Sequence, residues 1–158
     1  GISGVILLGA VVGSFLNVCI YRLPRGESLV FPASRCPQCG CGISWHDNVP
    51  IVGYFLLRGR CRHCRQPISG RYPLVEFLSA VLALTAYVKF GLSLALPAVF
   101  LFLAALIVIV FIDIEHQIIP HEIVLPGIPV FLLAAVFIMG VPWLDSFLGI
   151  MVGIGFST

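Results

Sequence analysis

The sequence predicts an all-α, polytopic membrane bundle interrupted by one polar, cysteine-rich insertion. Three observations carry that prediction. Hydrophobic residues make up 59% of the 158-residue chain and charged residues 10%, against roughly 25% charged in a soluble domain. Uncharged runs long enough to cross a bilayer recur along the chain. Eight of the nine Lys and Arg residues fall between Arg22 and Arg71, and the ninth is Lys89. That bias assigns the insertion to the cytoplasmic side, so the net charge of +2 is a local property. The chain starts at Gly1 without an initiator Met and stops at Thr158 within an apolar run. Both ends are expected to be cuts in a longer protein. No basic segment precedes the first apolar run, which argues against a cleaved signal peptide.

The first span is read as Ile2 to Ile20, within a unit of residues 1–20. Gly9, Gly13 and Asn17 are spaced by four and share one helix face. That face suits close helix packing with an amide bonding across it, or else Asn17 lines a substrate cleft. Residues 21–73 form the insertion, with eight Arg against Glu27 and Asp47. Tyr72-Pro73 opens the second span, Leu74 to about Val88, at the head of a unit of residues 74–158. Pro is tolerated at a helix start because its missing N–H had no partner there. Glu76 is placed in that first turn, where the helix dipole favours an anion, or as a polar contact in a cleft. Phe90-Gly91 is an outer turn. Leu92 to Ile112 is then 21 residues without a charge, about 30 Å of helix, and Asp113 stands at its end. A fourth span is placed over Ile123 to Gly140, its first turn made irregular by Pro126 and Pro129. Trp143 marks the outer boundary, and a fifth span begins near Ser146. No internal repeat is visible.

The insertion carries two C-x2-C pairs, Cys36/Cys39 and Cys61/Cys64. Each pair turns two thiolates toward one point, and two pairs complete a tetrahedron around zinc. A reducing cytoplasm disfavours disulfides there. Redox or free thiols are the competing reading, and Cys41 or His63 can substitute as a ligand. Cys19, in the first span, belongs to packing. A four-thiolate site is closed, so the metal folds the insertion rather than catalysing. With zinc and four thiolates together about −2, the insertion keeps about +4, a surface suited to anionic lipid. Its aromatics are too scattered to stack nucleic acid.

A carboxylate at the end of a spanning helix faces a watery cleft, a partner or chemistry. Asp113 can pair with an Arg of the insertion. It can join Glu115, His116, His121 and Glu122 around a metal, although His121-Glu122 lacks the second His of a zinc-protease motif. It can also be half of an aspartyl protease pair, in which two carboxylates share a proton. Residue chemistry alone leaves these open. A transporter is disfavoured, because no charge lies near the middle of a span.

GSFLNVCIYRLP at 13–24, CPQC at 36–39, CRHC at 61–64, ISGRYPLVE at 68–76 and IDIEHQIIP at 112–120 follow one another in order. Together they closely resemble the bacterial type IV prepilin peptidase family, over essentially the whole chain. The resemblance implies an inner-membrane GxGD-type aspartyl protease. Such enzymes cleave the basic leader of type IV prepilins and type II secretion pseudopilins at the cytoplasmic face. Most bacterial members also methylate the new N-terminus with S-adenosylmethionine. Carried over by residue, Asp113 matches the first catalytic aspartate, and Cys36, Cys39, Cys61 and Cys64 match the zinc ligands. The second aspartate belongs to a GxGD motif in a later helix. Gly153-Ile154-Gly155-Phe156 has Phe where that Asp would stand and is read as helix packing. Asp145 cannot substitute, because the helix count places it on the outer side. His121 stands where the family often has Asp, a non-catalytic position.

The expected protein is therefore an all-α, polytopic inner-membrane bundle with a zinc-binding cytoplasmic insertion. Its N-terminus is periplasmic, and the insertion and Asp113 are cytoplasmic. The 158 residues by themselves are expected to lack protease activity. The glycine face of the first span is a candidate to receive the substrate helix, and Glu76, Glu115 and Glu122 to receive its basic leader. The competing reading is a non-catalytic, membrane-anchored zinc scaffold for pilus or secretion assembly. No glycine-rich loop after a strand marks a methyl-donor site.

Overall fold

Among the described residues each long uncharged run folds as a helix, since a chain in lipid must bond its own N–H and C=O groups. The computed structural model describes residues 1–31, 34–44, 46–118, 120–145 and 148. In it, α1 spans Ile2–Arg22, α2 Val52–Leu56, α3 Arg71–Phe90, α4 Ala95–His116 and α5 His121–Phe137. α1, α3 and α4 are long and apolar enough to cross a membrane. No regular strand forms among the described residues. The backbone pairs only at two isolated bridges, Arg35 with Gly42 and Arg60 with Pro67.

α1 packs chiefly on α3, and α4 closes against both. The α1–α3 contact is glycine against small residues. A Cβ added at Gly13 would lie 2.6 Å from the Cα of Glu76, and one at Gly9 would lie 2.7 Å from the Cβ of Ala83. α3 answers with buried Ser79, Ala80, Ala83 and Ala86. In lipid such helices associate through close van der Waals contact rather than through exclusion of water. Leu16, Ile20, Val75, Val108 and Ile112 form the core near one end, with Cys19 among them. Asn17 is 2% exposed and donates through Nδ2 to the carbonyls of Tyr72 at 3.0 Å and Gly13 at 3.3 Å. Asn17 therefore binds α1 to the start of α3, and the glycine face is filled by α3. That face does not line a cleft for a substrate helix.

Other expectations also change. The helix expected from Leu92 starts at Ala95 and continues past Asp113 to His116, so Asp113 lies within its last turn and not beyond it. α3 starts at Arg71 and has no acid in its first turn. Glu76 is instead a buried residue facing α1. α5 begins after Pro120, contains both Pro126 and Pro129, and has 17 residues. That is about 25 Å, short of a 30 Å hydrocarbon core. The fifth span and Gly153–Phe156 lie outside the described residues.

Candidate metal centre and the Asp113 end of the bundle

The insertion is one turn built twice. Arg-Cys-x2-Cys-x3-Ile-Ser occurs at 35–44 and again at 60–69. In the first copy Gly40 N–H bonds Cys36 O, Cys36 N–H bonds Cys41 O, and Ile43 N–H bonds Ser34 O. In the second, Arg65 N–H bonds Cys61 O, Cys61 N–H bonds Gln66 O, and Ile68 N–H bonds Gly59 O. The residue after each second cysteine is left-handed, Gly40 at φ 69° and Arg65 at φ 57°. This repeat escaped a reading that looked for cysteines alone. The flanking Arg and Ile-Ser at matching offsets were the signal.

The two turns bring the thiols of Cys36, Cys39, Cys61 and Cys64 within 4.8 Å of one another. Cys36 and Cys64 are 3.8 Å apart at sulfur, and Cys39 and Cys61 are 4.0 Å. Thiolates about 2.3 Å from a tetrahedral zinc would be separated by about 3.8 Å, which these two pairs match closely, and no pair exceeds 4.8 Å, so the cluster fits the metal with only small shifts. These separations are far from a disulfide length of about 2.05 Å, and all four cysteines are free. Cys41 and His63 are outside the cluster. The Cys61 thiol is held down to about 6, first by the backbone N–H of Cys64 and then by that of His63. At Cys64 the Gln66 N–H favours the thiolate, but lost hydration and the sulfurs of Cys61, Cys39 and Cys36 outweigh it and push the thiol up to about 12. One sulfur ionises readily and its neighbour resists, a crowding of negative charge that a dication relieves. Bound zinc would supply a fixed cross-link between the two turns.

A second link joins the turns. Arg62 donates to Asp47 from Nε at 2.7 Å and from Nη2 at 2.5 Å. The Arg62 hydrogen bond holds the Asp47 carboxyl below the usual range, and Asp47 raises the guanidinium in return.

At the adjoining end of the bundle, Asp113 is exposed. Its carboxylate makes no hydrogen bond or ion pair among the described residues. The predicted pairing of Asp113 with an Arg is not made. Arg71 instead donates to Glu115 at 2.6 Å, tying the start of α3 to the last turn of α4. Asp113 and the insertion therefore share one end of the bundle, as charge bias and helix counting predict. Among the described residues, Asp113, Glu115, His116, His121 and Glu122 form no metal-ligand cluster. Of the acids considered for a basic leader, Glu115 is held by Arg71, and Glu76 accepts the Ile51 N–H at 2.6 Å. Glu122 alone of the three is exposed without a partner among the described residues.

Residues 7–90 match the model of the bacterial peptidase A24 N-terminal domain, and residues 100–158 match that of the type IV leader peptidase family. The chain belongs to the type IV leader peptidase family. Proteins similar to it carry the name prepilin leader peptidase/N-methyltransferase. One from Myxococcus xanthus is 44% identical over 121 residues, covering 77% of this chain and 36% of the relative. One from Klebsiella pneumoniae is 38% identical over 157 residues, covering 96% of this chain and 69% of the relative. A third, from Burkholderia pseudomallei strain 1026b, is 40% identical, with 77% of this chain and 47% of the relative covered. The chain thus spans between about a third and two thirds of the length of these leader peptidase relatives. No solved structure is significantly similar to it.

Proposed function

We propose that this chain is the zinc-insertion part and first catalytic carboxylate of a prepilin leader peptidase/N-methyltransferase. Asp113 carries the reading. It is a carboxylate without a partner among the described residues, in the last turn of an apolar helix, at the bundle end that also bears four clustered thiols, in a chain of the leader peptidase family. With a second carboxylate beyond the described residues, Asp113 would share one proton. One acid then activates water while the other protonates the scissile carbonyl. The substrates are type IV prepilins and type II secretion pseudopilins. Their apolar helix lies in the bacterial inner membrane and their basic leader in the cytoplasm, so the scissile bond falls at the level of Asp113. Zinc on Cys36, Cys39, Cys61 and Cys64 is structural. The methyl group for the new N-terminus comes from S-adenosylmethionine as co-substrate.

The test is Asp113→Asn in the full-length protein. Leader cleavage is expected to fall at least about 10²-fold, with zinc content and thermal stability unchanged. Undiminished cleavage refutes the role given to Asp113, and absence of cleavage by the purified parent protein returns it to the scaffold reading. Mass analysis of cleaved product separates methylation from proteolysis.

A further inference from the structure

The segment between the two turns is the least explained part of the insertion. α2 has five residues, yet it turns large apolar side chains outward: Val52 is 52% exposed, Phe55 68% and Leu56 75%. Beside them opens a concavity lined by Leu56, Leu57, Arg58, Arg60, Arg62 and Arg65, with Cys61 of the thiol cluster at its wall. Arg62 is spent on Asp47. Arg58, Arg60 and Arg65 make no ion pair among the described residues. Bare apolar groups rimmed by charge mark a contact surface for a protein or a membrane.

The height of α2 along the bundle favours the membrane. Ile51, the residue before α2, donates its N–H to Glu76 at 2.6 Å. Glu76 is buried inside a helix that spans the membrane, beside Gly13 of α1. From Arg71 to Glu76 is about 7.5 Å along the helix axis. The polar zone on each side of the hydrocarbon core is about 5–7 Å thick. Ile51 is therefore drawn to the depth of the lipid interface, and α2 starts there. Ile51 sits at φ 62°, ψ −54°, a conformation that β-branched residues seldom adopt. The Glu76 bond holds that bend at the start of α2.

We infer that α2 is a membrane-surface anchor. Val52, Phe55 and Leu56 seat among the acyl chains of the leaflet at the Arg22–Arg71–Asp113 end. Arg58, Arg60 and Arg65 hold anionic headgroups. Apolar groups on a short helix, followed in the chain by arginines unpaired among the described residues, match that leaflet in both hydrophobicity and charge. The inference also gives the insertion's excess positive charge a partner, which a basic leader peptide cannot be.

The experiment places a photo-crosslinking amino acid at Phe55 or Leu56 of the full-length protein. The protein is reconstituted in nanodiscs of phosphatidylcholine with or without phosphatidylglycerol, and Leu101 on α4 serves as the lipid-facing reference. Lipid adducts at 55 and 56 are expected in yields of the same order as at Leu101. Phosphatidylglycerol should be enriched among them. Changing Arg58 and Arg60 to Gln should reduce that enrichment by about fivefold per arginine and leave zinc content unchanged. Adducts to a second copy or to the chain itself, or none at either position, overturn the anchor. Lipid adducts without any preference for phosphatidylglycerol overturn the role given to the arginines.

Discussion

The α1–α3 seam and the paired cysteine turns are both tight, and they are tight for opposite reasons. At the seam the described residues form no ion pair or metal cluster, and polar bonds such as Asn17 to Tyr72 only supplement close packing. Two glycines let backbones touch, and the contact with Glu76 and Ala83 leaves no room for a Cβ. In the paired turns almost nothing is packed. Taken as whole residues, only Cys36 of the four is buried, and the geometry rests on backbone bonds, the Asp47–Arg62 brace and, when bound, a metal. One region is closed by volume and the other by valence, so each should fail under changes that the other ignores.

Losing a sulfur gives the largest separation. Cys36→Ser or Cys61→Ser should abolish zinc retention and leave residues 34–69 open to limited proteolysis. Structural zinc is worth on the order of 10 kcal/mol, while the helical content of α1, α3 and α4 stays. Retention by either variant in metal analysis would show that the two turns do not share one ion. Adding volume comes next. Gly13→Leu should separate α1 from α3 at a loss of about 3 kcal/mol or more, read as thermal unfolding in detergent, with zinc still bound. A variant as stable as the parent would mean that the seam yields.

The smaller effects set one turn against the other. Gly40→Val forces a β-branched residue into the left-handed region, whereas Arg65→Gly relieves one already there. The two should shift resistance to a zinc chelator in opposite directions, each by about 1 kcal/mol. The smallest effect belongs to protonation. The Asp47 carboxyl lies below its ordinary range. The brace therefore contributes fully above the unfolded carboxylate value of about 3.9 and is lost as pH falls through the lowered folded value. Cys61 at about 6 against an ordinary 9.0 follows the same sign. Its thiolate stabilises fully above 9.0 and is lost as pH falls through about 6. In metal-free protein, ultraviolet thiolate absorbance should show a one-thiol step near 6 that vanishes in Cys61→Ser. Persistence of the step would assign it to another cysteine.

Much of the site was legible beforehand. The C-x2-C spacing named the four clustered thiols that could hold a metal, because a knuckle closes within a few bonded residues and the cluster follows from joining two of them. Asp113 was legible because a charge ending an apolar run is conspicuous in one dimension. The partners of Asn17, Glu76, Arg71 and Gly13 were not legible. Nor was the height of α2, which hangs on one bond from Ile51 to a carboxylate on another helix.

Composition and run length by themselves determined the membrane class, the order of the helices and the residues able to hold a metal. Only the tertiary structure decided that α3 rather than a substrate fills the glycine face, that Arg71 takes Glu115 and leaves Asp113 bare, and that the helix of the fourth apolar run stops at Phe137. The reason is rotational. Helices apolar on every side carry no stripe that states which face turns inward, so their contacts are set by shape once the neighbours are in place.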